Sequence, residues 1–162
     1  MSEIYKIGFG GGCHWCTEAI FQLLKGVYKV EQGYIKSDGY NDYYSEAVIV
    51  YYDPKIILLQ DLISIHLHTH KSTINHSFRK KYRSAIYYFL VSEKESIGAI
   101  LKKLQQDFKT PLITQVLAFK EFRSSRKELL NYYISGPEKP FCKLYIHPKI
   151  IMLKEKYNTW VK

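Results

Sequence analysis

The sequence predicts an α+β fold, a two-layer sandwich on a ferredoxin-like β-α-β-β-α-β core, in a single domain over 1–162. Three observations predict it. Apolar runs of strand length alternate with segments of helical spacing in that order over about the first ninety residues. At 162 residues, with 46% hydrophobic and 15% aromatic content, the chain can bury one sizeable core and is not expected to be disordered. No repeat, low-complexity tract or linker divides it.

The first strand is the apolar stretch Ile4–Phe9, which runs through Gly10-Gly11-Gly12 into Cys13-His14-Trp15-Cys16. Cys13 to Leu24 has helical spacing in Trp15, Ala19, Leu23 and Leu24, and Gly26 ends that helix. Val27–Ile35 reads as a second strand, and Ser37-Asp38-Gly39 with Asn41-Asp42 as a turn-rich loop. A third strand from Ser45 to Tyr52 closes at Asp53-Pro54. Its alternation puts Glu46, Val48, Val50 and Tyr52 on one face and Ala47, Ile49 and Tyr51 on the other. Ile57 to about His68 is predicted helical, and Tyr82–Val91 a buried strand. Ser92-x-x-Glu95 reads as a capping box ahead of an amphipathic helix through Ile97, Ile100, Leu101, Leu104 and Phe108. Leu112–Phe119 is a further strand and Ser125–Tyr133 a short helix. Beyond Pro137, Pro140 and Pro148, a last helix covers Lys149–Tyr157.

The chemistry concentrates at the first helix. Unpaired backbone N–H groups and the positive end of the helix dipole favour an anion there, which lowers a thiol's pKa and makes Cys13 the candidate nucleophile. Three cysteines, two of them in a CxxC, do not make a secreted disulfide framework. In a reducing compartment the motif reads as redox or metal chemistry, and zinc is the weaker reading because no second pair completes four ligands. His66, His68, His70 and His76 crowd one segment, and His66 and His70 share a helical face as a metal pair would. No third ligand of fixed spacing follows, so they read as helix-end histidines packed near a site, and no metal is expected.

Lys plus Arg exceed Asp plus Glu by 24 to 15, giving +9. The basic residues are spread, and the densest cluster, Arg79-Lys80-Lys81 with Arg83, is short, so a solvated basic surface is expected rather than a nucleic-acid partner. The longest apolar run, Ala85–Val91, is too short to span a bilayer, and no basic-then-apolar leader precedes the first strand. The expectation is a cytoplasmic protein without a membrane partner.

Five pieces in register carry a family resemblance: Gly11-Gly12-Cys13-x-Trp15, Gly33-Tyr34, the Glu46-led strand into Tyr52-Asp53-Pro54, Tyr82-Arg83-Ser84-Ala85-Ile86-Tyr87, and Lys139-Pro140-Phe141-Cys142 with Pro148-Lys149. In that order they resemble peptide methionine sulfoxide reductase A over about residues 5 to 155. The resemblance implies reduction of methionine S-sulfoxide, free or within a protein, through a Cys13 sulfenic acid and a disulfide, with thioredoxin or a similar dithiol as reductant and no cofactor. It makes Glu46 the acid, Tyr82 the phenol that hydrogen-bonds the sulfoxide oxygen, and Trp15 the platform for the substrate methyl group. Cys16, one helical turn from Cys13, is favoured as resolving thiol, with Cys142 as the second candidate.

The departures are specific. His14 stands where the family usually has Phe, replacing an apolar wall of the substrate site with a titratable one. His-Ala-Glu reads Tyr44-Ser45-Glu46, and the loop before it is shortened; Tyr40, Tyr43 or Tyr44 can stand in for a second family tyrosine. Ser77 replaces an Asp, and Arg79-Lys80-Lys81 a Gly-Thr-Gln. Two other classes are compatible with the residues: a general thioredoxin-type dithiol oxidoreductase, weakened by the absence of a matching cis-proline context and by the triple glycine, and a non-enzymatic binding module of the same fold.

Overall fold

The computed structural model describes residues 3–75 and 77–162, without the side chains of 77 and 78. Along the chain come β1 (Tyr5–Gly10), α1 (His14–Gln22), β2 (Val27–Lys36), β3 (Ser45–Tyr52), α2 (Leu59–His68) and β4 (Ala85–Tyr88). They are followed by α3 (Ser92–Leu104), β5 (Gln115–Ala118), β6 (Glu121–Ser124), α4 (Tyr132–Ser135) and α5 (His147–Lys156). The class is α+β, as the periodicity predicts. The strands form one sheet in the order β5-β4-β1-β3-β2-β6, with β4 and β5 parallel and the other pairings antiparallel.

The predicted alternation of β3 divides the core. Val48, Val50 and Tyr52 join Ile7, Phe9 and Ile86 under the apolar faces of α1, α2, α3 and α5. Ala47 and Ile49 face the other way, into a smaller cluster with Ile35, Ala85 and Tyr87. The helices thus supply one layer and the sheet the other.

Several boundaries depart from the sequence reading. Ser92 does not cap α3; the Glu93 carboxylate reaches back instead and accepts from the N–H groups of Phe89 (3.3 Å) and Leu90 (3.1 Å). That turn pulls Leu90 and Val91 out of the predicted strand and exposes them, 61% and 82%. β6 has no counterpart in the reading: it is four residues long and pairs with Gly33–Lys36 at the sheet edge. Only glycine permits that approach, because a Cβ on residue 33 meets the Arg123 carbonyl and the Phe122 ring. The predicted helix at Ser125–Tyr133 is a 3-10 turn (Lys127–Leu129) followed by α4. Asn131 separates the two with φ of 55°, a left-handed conformation that Asn tolerates. A π-helical turn, Cys142–Ile146, leads directly into α5.

Candidate active site

Antiparallel register brings the chemistry to one end of the sheet. Gly10, the last residue of β1, pairs with Ala47 near the start of β3 and with Ala85 at the start of β4. The glycine turn after β1, Glu46 on β3 and the Tyr82-Arg83 approach to β4 therefore meet where α1 begins. Tyr34 on β2 is directly opposite Glu46. Gly11 has φ of 148°, and a Cβ there runs into the His70 ring at 2.5 Å, so the turn is closed by that imidazole.

Cys13 is the N-cap of α1 and half-buried, and its carbonyl accepts from the N–H groups of Cys16 (3.1 Å) and Thr17 (3.2 Å). Cys16 is 5% exposed. The two thiols hydrogen-bond each other, and this corrects the expectation of a lowered Cys13. As the donor, Cys13 is pushed up, by that bond first and by burial second. Cys16 is held below the ordinary thiol range by the same bond, with the Lys149 charge assisting against burial. The pair shares one ionisation: the first proton leaves easily and the second with difficulty. Exposure still separates the two sulfurs, Cys13 half-buried and Cys16 buried.

Glu46 is 6% exposed, and its Oε1 accepts from the His14 backbone N–H at 3.2 Å. The His14 ring follows, with Nε2 at 3.4 Å from the same oxygen and Nδ1 donating to the Gly33 carbonyl at 2.8 Å. Lys81 Nζ lies 3.6 Å from Glu46 Oε2, and the Lys81 carbonyl accepts from the Glu46 N–H at 2.9 Å. Tyr82 is half-buried beside Lys81 and lines a cavity of about 160 Å³ with Gly11, Gly12, His70, Arg79 and Lys149. Trp15 stacks on Tyr132 at 4.2 Å and 6°, with Phe141 edge-on at 5.2 Å. Tyr44 does not join the group: its hydroxyl donates to Glu121 at 2.8 Å, and the Arg123 guanidinium lies over its ring at 4.3 Å. Tyr40 is fully exposed and Tyr43 packs on Arg83.

Tyr132 and the residue that holds it have no signal in the spacing. Glu18 is 1% exposed on α1, and its carboxylate accepts from the N–H groups of Asn131 (3.0 Å) and Tyr132 (3.2 Å) and from Gln32 (2.9 Å). It pins the start of α4 and lays Tyr132 on the indole. A carboxylate on the buried face of a short apolar helix was the one visible hint.

The histidines pack rather than ligate. His66 Nε2 donates to the Gly10 carbonyl at 2.7 Å, His70 Nε2 meets Ser84 Oγ at 2.8 Å, and the two rings lie 4.2 Å apart. Burial holds His66 down to about 3, and His70 well below its usual value. Among the described residues no three His, Cys, Asp or Glu side chains group as a metal site. His76 lies outside the described residues, as does the side chain of Ser77.

A CxxC at a helix start, with a buried carboxylate and a phenol at the same sheet end, defines a thiol-based redox site. The model of the family "Peptide methionine sulfoxide reductase" matches residues 5–160, and the chain belongs to that family. It is 32% identical to peptide methionine sulfoxide reductase MsrA of Chromobacterium violaceum, over 94% of this chain and 96% of that one. Among solved structures it is similar to reduced Mxr1 from Saccharomyces cerevisiae, with a TM-score of 0.75, 20% identity and coverage of 86% and 90% of the two chains. It also matches Mxr1 in complex with Trx2, with a TM-score of 0.64, 19% identity and coverage of 78% and 84%. Among the described residues no helix is long and apolar enough to cross a membrane.

Proposed function

We propose that this chain, as a single domain, reduces methionine S-sulfoxide, free or peptide-bound, with Cys13 as nucleophile and Cys16 as resolving thiol. The Cys13 sulfur attacks the sulfoxide sulfur, and the oxygen takes a proton and ends on Cys13. The S=O bond breaks, releasing methionine reduced by two electrons and leaving Cys13 a sulfenic acid, oxidised by two. Cys16 then attacks the Cys13 sulfur, water leaves, and the disulfide closes. A dithiol protein of thioredoxin type returns both thiols, as the Mxr1–Trx2 complex suggests by likeness. Glu46 gives the proton, the Tyr82 hydroxyl steadies the oxygen, and Trp15 faces the methyl group. Three free cysteines suit a reducing compartment, the cytoplasm.

The single observation that carries this reading is the half-buried Cys13 at the N-cap of α1 with a buried Cys16 one helical turn on, so that the second thiol needs no chain movement to reach the first. Cys142 is fully buried on the π-helical turn, whereas Cys13 and Cys16 share one turn of α1. The test is turnover of each sulfoxide epimer with dithiothreitol. The S epimer is reduced, Cys13→Ser is inactive, and Cys16→Ser accumulates a dimedone-reactive sulfenic acid. Activity surviving in Cys13→Ser rules the reading out.

A further inference from the structure

The segment ahead of β4 carries charge where the family usually has an uncharged Gly-Thr-Gln: Arg79-Lys80-Lys81 lead directly into Tyr82. Arg79 folds inward. Its guanidinium donates to the carbonyls of Gly11 (3.1 Å), Tyr82 (2.9 Å) and Ile74 (3.0 Å), and to that of Lys71. It straps the glycine turn to the approach to β4, and its charge meets carbonyl dipoles there.

Two cavities share Arg79. The one of about 160 Å³ holds Gly11, Gly12 and Tyr82 of the site, with Lys71 and Lys149 on its wall. The other, of about 310 Å³, is lined by Lys80 and Arg83 together with Ser84 and Gln115. Each has three Lys or Arg side chains in its lining and no carboxylate. Lys81 is matched by Glu46 at 3.6 Å, but among the described residues Lys71, Arg79, Lys80 and Lys149 have no carboxylate partner. Lys149 donates to the Thr69 carbonyl at 2.6 Å, which leaves its charge in place. A cleft lined by one sign of charge and walled by protein concentrates the field and draws in the opposite sign.

We infer that this chain prefers methionine sulfoxide in acidic peptide segments, with Asp or Glu side chains near the sulfoxide in sequence seated against Lys71, Arg79, Lys80 and Lys149. The inference rests on the Cys13 reading and deepens it by naming the class of substrate. The sulfoxide goes to Cys13, and a neighbouring carboxylate enters the cavity beyond Tyr82. Volumes of this size admit side chains one at a time, which favours a flexible peptide over a nucleic-acid duplex. Tyr43, the ring in the larger cavity, is already engaged by Arg83 at 4.6 Å and Lys80 at 5.7 Å rather than set out for base stacking.

The experiment measures binding and turnover of three labelled peptides, each with one methionine S-sulfoxide flanked by Glu, by Gln or by Lys. Binding is read by fluorescence anisotropy and turnover as kcat and KM with dithiothreitol, at about 20 mM and about 500 mM salt. At low salt the Glu peptide binds about tenfold tighter than the Gln peptide, and the Lys peptide binds weakest. The difference lies in KM, with kcat within about twofold. High salt reduces the Glu-to-Gln ratio to about threefold or less. Lys71→Gln with Lys80→Gln, on two exposed side chains, does the same at low salt. Lys102→Gln with Lys103→Gln on α3 removes as much charge from another exposed face and keeps the ratio. Equal binding of the Glu and Gln peptides overturns the inference, as does a ratio that falls as far in the α3 variant. So does a short oligothymidylate that displaces the Glu peptide at lower concentration than the unlabelled peptide, which assigns the cations to nucleic acid. If none of the peptides is reduced, the function reading fails, and the binding ratios alone uphold or overturn the acidic-peptide surface.

Discussion

At the scale of single residues, the site works through division of labour between groups of one kind. Two thiols share one ionisation, the more exposed Cys13 held up and the more buried Cys16 held down. Glu46 is the carboxylate at the same place, nearly buried between His14 and Lys81. Glu46→Gln keeps the shape and removes the acid. Its rate of methionine release is expected to fall by about 10²–10⁴-fold with Cys13 alkylation retained. A fall in both together would instead mean that Glu46 holds the helix start. Cys13, Cys16, Glu46 and Tyr82 could be named as candidates from the sequence because each sits in a short motif. Their partners were not: Gly33 is nineteen residues from His14 and Glu46 thirty-two, and the contacts run through a backbone carbonyl and a strand register that spacing does not encode. Tyr44 was misplaced for the same reason, since its Glu121 partner lies on a strand the sequence did not announce.

At the scale of elements, the sheet end matters more than any helix. β1, β3 and β4 were readable from their apolar runs, and the two faces of β3 from simple alternation. β6 was unreadable because its four residues, Glu121 to Ser124, carry no period and pair only because Gly33 lets them close. Gly33→Ala is expected to push β6 away and cost about 1–3 kcal/mol in urea denaturation. Because the Gly33 carbonyl also holds His14, methionine release falls as well. Unchanged stability would show that β6 is not held by close backbone approach. The segment around α4 was least legible, since its start is set by one distant carboxylate, Glu18, and not by helical periodicity, whereas β5 and α5 fall within a residue or three of their predicted places.

At the scale of the whole molecule, acid sensitivity follows from the histidines under the glycine turn. His66 is held near 3 from an ordinary 6.5 by burial, and His70 is displaced the same way. The unfolded chain binds these protons more readily, so this contribution to stability is complete above about pH 6.5 and is lost as pH falls toward 3. The unfolding free energy from urea denaturation is expected to drop below that value at about 1.4 kcal/mol per pH unit for each histidine. Equal stability at about pH 7 and about pH 5 would contradict the burial of both rings.

The central step is a two-electron transfer from Cys13 to methionine sulfoxide, completed within the CxxC. Its most direct measurement is the reductant-free stoichiometry: a single mixing of reduced protein with excess methionine S-sulfoxide, with methionine counted and the thiols mapped by mass spectrometry. The expected result is one methionine per chain, none from the R epimer, and a Cys13–Cys16 disulfide with Cys142 still reduced. Methionine formed without oxidation of Cys13, or no methionine at all, would contradict it.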